Sequence, residues 1–407
     1  MKCGLLGRKL GHSYSPQIHG LLGSYSYTLF EKEPEEIEGF LKNTDFSGLN
    51  VTIPYKKAVI PYLDELSPQA KKLGTVNTIV RRNGKLIGHN TDYFGFQSMV
   101  KESGLQLQNK KVLVLGSGGA SNTAVAVLEE LGADVVIISR SGENNYTNLH
   151  LHKDAYAIVN TTPVGMFPST GYSAVNLADF PCVQGVLDVI YNPARTQLLL
   201  DAQRQNISGI NGLLMLVAQA KESSEWFMQT AISDDMIRSI YKKMSVQMQN
   251  IVLVGMPGCG KSTIGKRIAQ ALNRNFADAD EIITEMAGKQ IPEIFAEGGE
   301  PLFRDWETKA LAELGKQSGL VIATGGGCVT QNQNYDLLHQ NGTIVWLKRD
   351  LDVLPVDGRP LSATGNLKDM YRIRQPMYAA FADFIISNDG SPEETVSKIL
   401  QRLEMSR

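Results

Sequence analysis

The sequence predicts an α/β protein built on largely parallel sheets, and three observations carry that reading. Short apolar runs alternate with stretches of helical spacing along the whole chain, the pattern of strand–helix–strand units. Two of the runs pass directly into glycine-rich turns, "VLVLGSGGAS" and "IVLVGMPGCGKST". Finally, the alternation restarts at about Asn250 after a long polar, helical passage, which marks a domain boundary.

In chain order, strands are expected at "CGLLG", "TLFE", "GLNVTI", "NTIVRR", "KVLVLG", "DVVIIS", "YAIVN" and "GVLDVI". A helical passage from "AQAKESSEWF" to "KKMSVQMQ" follows, with the linker at 243–249. The second series is "NIVLVG", "FADAD", "LVIATGG", "TIVWLK" and "FADFIISN". The first half divides again near Asn109, where "NKKVLVLGSGGAS" opens a new βα unit.

At 407 residues the chain exceeds what one core usually supports, and 43% hydrophobic with 20% charged residues is a soluble, globular composition. A net charge of -2 gives no reason to expect nucleic acid or an anionic membrane as partner. Cys3, Cys182, Cys259 and Cys328 are scattered without a Cys-x-x-Cys pair, so neither a zinc site nor a disulfide framework is expected. The six histidines fall in no metal-ligand spacing. The amino-terminal stretch turns polar within a few residues, too early for a signal-peptide core or a membrane span, and a cytoplasmic location is expected.

"GMPGCGKST", Gly255 to Thr263, fits the phosphate-loop pattern between a strand and the helical "IGKRIAQAL". Gly258, Cys259 and Gly260 would turn backbone amides toward phosphates, Lys261 would reach the β and γ oxygens, and Ser262 would ligate Mg²⁺ beside Thr263. This motif alone implies a nucleoside triphosphate and leaves the second substrate open.

"KVLVLGSGGASNTAVAVLEELGADVVIISRS" reads as the start of a dinucleotide-binding unit, with Gly116, Gly118, Gly119 and Ala120 turning over a pyrophosphate. A glycine turn in another α/β unit would look similar. After the second strand stands Arg140 in place of an acidic residue, which suits a ribose 2′-phosphate and favours NADP(H) over NAD.

Beyond the phosphate loop come "FADADEI", "AEGGEPLFRDWE", "ATGGGCV", "GRPL" and "RQPMY". In order and type these resemble shikimate kinase across 250–407. The resemblance implies that Asp280 binds and orients the attacking hydroxyl and that Asp278 reaches Mg²⁺ through water. It also implies that Arg304 and Arg374 clamp the substrate carboxylate, that Gly326 brings backbone amides to the substrate, and that Arg359 closes over the transferring phosphoryl group with Lys261. Any one arginine alone could be a surface charge. The lid between Lys348 and Met370 is shorter than the family's, and its arginine against adenine has no counterpart by position.

The first half carries "GRKLGHSYSPQIH", "NVTIPYKK", "GTVNTI", "GHNTDYFGF", "NTTPVGM", "DVIYNP" and "INGLLMLVAQA" in that order. Together they resemble shikimate dehydrogenase over about 1–240. The resemblance implies a substrate domain at 1–108 completed by about 210–242, a Rossmann NADP domain at 109–209, and the kinase domain at 250–407. Ser13 and Ser15 would hold the substrate carboxylate near Tyr191. Thr52, Asn77 and Gln219 would bind ring hydroxyls, Lys56 and Asp92 would form the catalytic pair, and Gly212 and Met215 would lie near the nicotinamide. Between Arg140 and Asn160 about one helix–strand unit is missing, so the nucleotide domain is expected to be trimmed.

Ketone reduction needs a hydride on one face and a proton for the developing alkoxide, which a lysine ammonium can supply. The bland alternatives are that Lys56 is a solvated charge beside Lys57, that Asp92 caps the following helix, and that "LLMLV" is a core stripe. The leading expectation is a bifunctional enzyme that reduces 3-dehydroshikimate to shikimate with NADPH and then phosphorylates shikimate with MgATP. Two alternatives stay open: one half is a non-catalytic shikimate or nucleotide sensor, or the first half acts on quinate with NAD.

Overall fold

Each of the apolar runs named above is a strand in the computed structural model, which describes residues 1–11, 13–354 and 367–405. The chain forms two compact units. The first comprises Met1–Val164, Ser173–Tyr191 and Asp201–Met244, and the second Gly165–Tyr172, Asn192–Leu200 and Ser245–Arg407.

The segment 243–249 continues the helical passage expected there, its residues through Met248 forming the last turns of the helix Asp235–Met248. Ile237, Ile240, Met244 and Met248 are all buried, at three- and four-residue spacing, so an apolar helical face runs through the segment.

The first unit has two sheets. Strands β1 (Lys2–Gly7), β2 (Ser26–Glu31), β3 (Gly48–Val51), β4 (Glu65–Leu66), β5 (Thr78–Arg82) and β6 (Lys85–His89) lie in the order β2-β1-β3-β5-β6-β4. This sheet is mixed within the largely parallel architecture: β1 is parallel to β2 and β3, and β4 to β6, while β5 runs antiparallel to both β3 and β6. The reversal is the hairpin "RRNGKL", whose Asn83 and Gly84 take φ of 51° and 80°, the left-handed values a two-residue hairpin turn needs.

This arrangement gathers functional loops at one end of the sheet. Leu6 is level with Val51, and the Thr52 amide bonds to the Leu6 carbonyl at 2.9 Å. The Val51 amide bonds to Asn77 and the Asn77 amide to His89, at 2.8 and 3.1 Å. Residues after β1, β3 and β6 and before β5 therefore share an edge.

The other sheet of this unit is wholly parallel: β7 (Lys111–Leu115), β8 (Asp134–Ile138), β9 (Ala157–Asn160), β10 (Gly185–Asp188) and β11 (Ser208–Asn211), ordered β11-β10-β9-β7-β8. It is trimmed: among the described residues the connection from β8 to β9 contains only the single turn Leu149–His152, and β8 is left at the edge.

The second unit holds β12 (Asn250–Val254), β13 (Phe276–Asp278), β14 (Val321–Ala323), β15 (Gly342–Lys348) and β16 (Phe384–Ser387), parallel throughout in the order β13-β14-β12-β15-β16. β12 is buried along its whole length, as a central parallel strand covered on both faces requires. No helix among the described residues is long and apolar enough to cross a membrane.

Candidate active sites

In the first unit, Lys56 and Asp92 form an ion pair at 2.6 Å, with side chains 28% and 14% exposed. Lys56 is thus not the solvated charge that its exposed neighbour Lys57 is. Asp92 does not cap its helix either. It is the first residue of Asp92–Ser103, after the N-cap Thr91, and its two oxygens are taken by Lys56 and by the Asn77 amide nitrogen at 2.9 Å.

The orientation of Asn77 follows from elementary donor counting. The Thr91 backbone amide can only donate, and it lies 2.7 Å from Asn77 Oδ1, so Nδ2 must face Asp92. A cation thus meets one oxygen of Asp92 and an amide donor the other, which fixes the carboxylate's orientation.

Gln219 joins this cluster through the Thr91 hydroxyl at 3.4 Å, and Ser223 lies 3.0 Å from the same hydroxyl. Gly95 lets the two helices approach. A Cβ there would stand 2.7 Å from the Met215 carbonyl and 3.0 Å from the Gln219 Cβ. Ser13 accepts from the Ser15 amide at 3.2 Å, and the rings of Tyr14 and Tyr191 meet edge to face at 6.2 Å. Burial raises the Tyr191 phenol above its ordinary value, with Tyr14 adding to the effect. Thr52 closes a turn by accepting from the Tyr55 amide at 2.9 Å. Among the described residues, no hydrogen bond joins Ser13, Ser15 or Tyr191 to the Lys56–Asp92 pair.

At the dinucleotide turn, Gly116 has φ 109°, and a Cβ would lie 2.8 Å from Thr161 Oγ1. Gly118 precedes the helix Gly119–Glu130, and both Gly118 and Gly119 face open space beside Ala120. Arg140 is exposed just beyond β8. Gly212 is required by packing, since a Cβ would fall 2.0 Å from the Val189 carbonyl, and Met215 packs at the margin of the apolar core.

In the second unit, the candidate residues again lie beyond strand ends. The phosphate loop follows β12, Asp278 ends β13, and the triple glycine follows β14. Lys261 bonds to the carbonyls of Gly255 and Met256 at 2.9 and 3.0 Å, within the loop that Gly258, Cys259 and Gly260 build. The Ser262 hydroxyl donates to Asp278 at 2.6 Å, while the other Asp278 oxygen accepts from the Asp280 amide. Thr263 is exposed in the first turn of the following helix.

The glycines Gly325, Gly326 and Gly327 are a contact surface as much as a turn. A Cβ on Gly325 would stand 2.4 Å from Glu307 and 3.5 Å from Asp280. On Gly326 it would stand 2.6 Å from Pro257 of the phosphate loop, and on Gly327 2.1 Å from the Arg304 guanidinium. Arg304 is pinned by Glu307 at 2.7 Å and by Glu300 at 2.7 and 3.1 Å. Arg374 and Tyr378 donate to the Gly326 carbonyl. Burial raises the Glu307 carboxyl, against the pull of Arg304 and with a push from Asp280.

Glu300 and Glu307 escape the sequence reading, although their spacing of four and three residues about Arg304 signals it. The helix Ile291–Gly315 breaks at Gly299, φ 66°, two residues before Pro301, and this break starts the turn that carries Arg304. Ser223, fully buried, gives no local signal at all. Arg359 lies outside the described residues.

The fold and the sites define a two-part α/β enzyme, one part joining a lysine–carboxylate pair to a dinucleotide-type sheet, the other a phosphate-loop domain with an arginine clamp. Residues 5–79 match the family model of the shikimate dehydrogenase substrate binding domain, and residues 257–404 match that of shikimate kinase. A shikimate dehydrogenase (NADP(+)) of Clostridium perfringens is 35% identical over 263 residues, 59% of this chain and 97% of that protein. Among solved structures, shikimate dehydrogenase 1 from Peptoclostridium difficile matches with TM-score 0.56 and 36% identity, over 60% of this chain and 97% of that one. A chorismate mutase/shikimate 5-dehydrogenase fusion protein from Clostridium acetobutylicum matches with TM-score 0.58 and 35% identity, over 60% and 96%. The chain belongs to the shikimate dehydrogenase family and carries a shikimate kinase domain at its carboxyl-terminal end, making it a bifunctional enzyme of the shikimate pathway.

Proposed function

We propose that the first unit reduces 3-dehydroshikimate to shikimate with NADPH and that the second phosphorylates the shikimate 3-hydroxyl with MgATP. The observation that carries the first half is the Lys56–Asp92 pair braced by Asn77. Lys56 as ammonium gives its proton to the alkoxide that forms as hydride arrives, and Asp92 keeps the ammonium aimed. NADPH supplies the hydride. Arg140 pairs with its 2′-phosphate, and Gly116, Gly118, Gly119 and Ala120 line its pyrophosphate. Ser13, Ser15 and Tyr191 hold the substrate carboxylate, and Thr52, Asn77 and Gln219 the ring hydroxyls.

For the second half, the close approach of Gly326 to Pro257 supports placing the substrate clamp beside the phosphate loop. Three of the five Arg304 N–H donors are committed to glutamates, and two remain for a carboxylate, with Arg374 alongside. Asp280 orients the attacking hydroxyl. The hydroxyl of Ser262 and the carboxylate of Asp278 are hard oxygen donors 2.6 Å apart, which fits Mg²⁺, and the ion would screen phosphate charge there. Lys261, and Arg359 from the lid, complete the charge balance.

The division into 1–108 with about 210–242, 109–209 and 250–407 belongs to this reading. A cytoplasmic location does too, supported by the buried free thiols of Cys3, Cys259 and Cys328.

A single assay tests it. With 3-dehydroshikimate, NADPH should be consumed without ATP, and with shikimate, ADP should form without NADPH. Turnover of quinate with NAD at a higher kcat/KM would overturn the first half, and binding of shikimate without ADP release would overturn the second.

A further inference from the structure

The phosphate loop has a second cation at its side that neither motif nor pairing accounts for. β15 neighbours β12 in the parallel sheet, with Trp346 level with Val254, so both strands deliver their chains to the same end. β12 runs on into the phosphate loop. β15 runs on into Arg349, the residue after Lys348. Arg349 Nη1 lies 4.0 Å from the position a Cβ on Gly260 would take. Gly260, at φ 100°, is the N-cap of Lys261–Leu272, where amides and helix dipole favour an anion.

Among the described residues, Arg349 Nε is buried without a hydrogen-bond partner. The acid it influences is Asp389, but both oxygens of that carboxylate are engaged, by the Asp350 amide at 2.8 Å and the Ser387 hydroxyl at 2.5 Å. The loop is braced on this side by a neutral group instead, Asn388, which donates to the Cys259 carbonyl at 2.7 Å. A buried N–H left unpaired is destabilising, a cost that an arriving oxyanion would remove.

We propose that Arg349 binds the phosphate chain of the nucleotide held by this loop, as a second cation opposite Lys261. The proposal rests on reading the loop as the MgATP site. Guanidinium geometry favours phosphate oxygens through two parallel N–H donors, which the single ammonium of Lys261 cannot supply.

The test uses the full chain, with calorimetric titration of MgADP and of inorganic tripolyphosphate into wild type, Arg349→Ala, Arg349→Gln and Arg349→Lys. Arg349→Ala and Arg349→Gln should weaken both ligands by about tenfold or more, with Arg349→Lys recovering part of the loss. The KM for ATP should rise while the KM for shikimate stays within about twofold, because a lost phosphate contact leaves the carboxylate clamp intact. Unchanged dehydrogenase turnover and thermal unfolding show that the variants are folded. Binding equal to wild type overturns the proposal. Weaker MgADP with unaltered tripolyphosphate overturns it too, since that assigns Arg349 to the nucleoside. If the wild type binds neither ligand, the MgATP reading falls and takes the proposal with it.

Discussion

Lys56 and Asp92 lie on different segments, one in the turn after β3 and the other at the start of a helix after β6, yet their charged atoms meet at 2.6 Å. The hairpin β5–β6 makes the meeting possible. It reverses the chain so that Asn77, before the hairpin, and Asp92, after it, return to the end of β3.

Replacing either partner should remove the proton donor or its aim. Lys56→Ala and Asp92→Asn are each expected to lower dehydrogenase kcat by about 10²–10⁴, the range for a positioned acid. Kinase turnover in the same preparations should stay unchanged. Assays of NADPH oxidation and ADP release on each variant check this, and loss of both activities from Lys56→Ala would sink the two-site reading.

Gly327→Ala should act on the kinase alone. Its φ of -107° suits any residue, so the effect is steric: the new Cβ would press on the Arg304 guanidinium, which is buried and held by two glutamates. The KM for shikimate is expected to rise by about tenfold or more, while MgADP affinity stays near wild type. Steady-state kinetics with calorimetry separates the two, and an unchanged KM would show that Arg304 takes no part in binding.

The metal prediction concerns Ser262 and Asp278. Ser262→Ala and Asp278→Asn should each raise the Mg²⁺ concentration for half-maximal kinase rate by about tenfold, roughly the worth of one charged-group contact, and chelation should silence the kinase but not the dehydrogenase. Titrating Mg²⁺ against rate measures it.

A pH effect on stability follows from His19, which is stacked on Tyr27 at 4.1 Å and bonded to the Tyr25 hydroxyl at 2.7 Å. Burial holds its imidazole down at about 3 from an ordinary 6.5, with a smaller opposing pull from Asn50. The unfolded chain therefore takes up a proton at His19 below pH 6.5 that the folded chain refuses. The stability linked to this residue is intact above pH 6.5 and declines as pH falls toward 3, by about 1.4 kcal/mol per pH unit. Between pH 7 and 5, urea denaturation of wild type should lose about 2 kcal/mol more than that of His19→Phe. Parallel pH profiles for the two would refute the assignment.

Much of the fold was legible because it rests on local patterns. A strand of an α/β core is a short apolar run whatever surrounds it, and the thirteen runs quoted coincide with strands. The hairpin strand β6 was missed even though Asn83–Gly84 announces it, because "KLIGH" is short and begins with a charge. The helical passage before Asn250 is legible too, because Ile237, Ile240, Met244 and Met248 keep an apolar face within a polar composition.

The sequence by itself determined the two glycine turns, the order of the motifs and which residue types could do chemistry, since each is written in neighbouring residues. Only the tertiary structure decided that Asn77 faces its nitrogen to Asp92, that Glu307 holds Arg304 from inside the core, and that Arg349 lies beside Gly260 with its Nε unpaired among the described residues. Those facts depend on groups brought together across turns and strands, where the geometry of hydrogen bonds and burial settles what spacing along the chain leaves open.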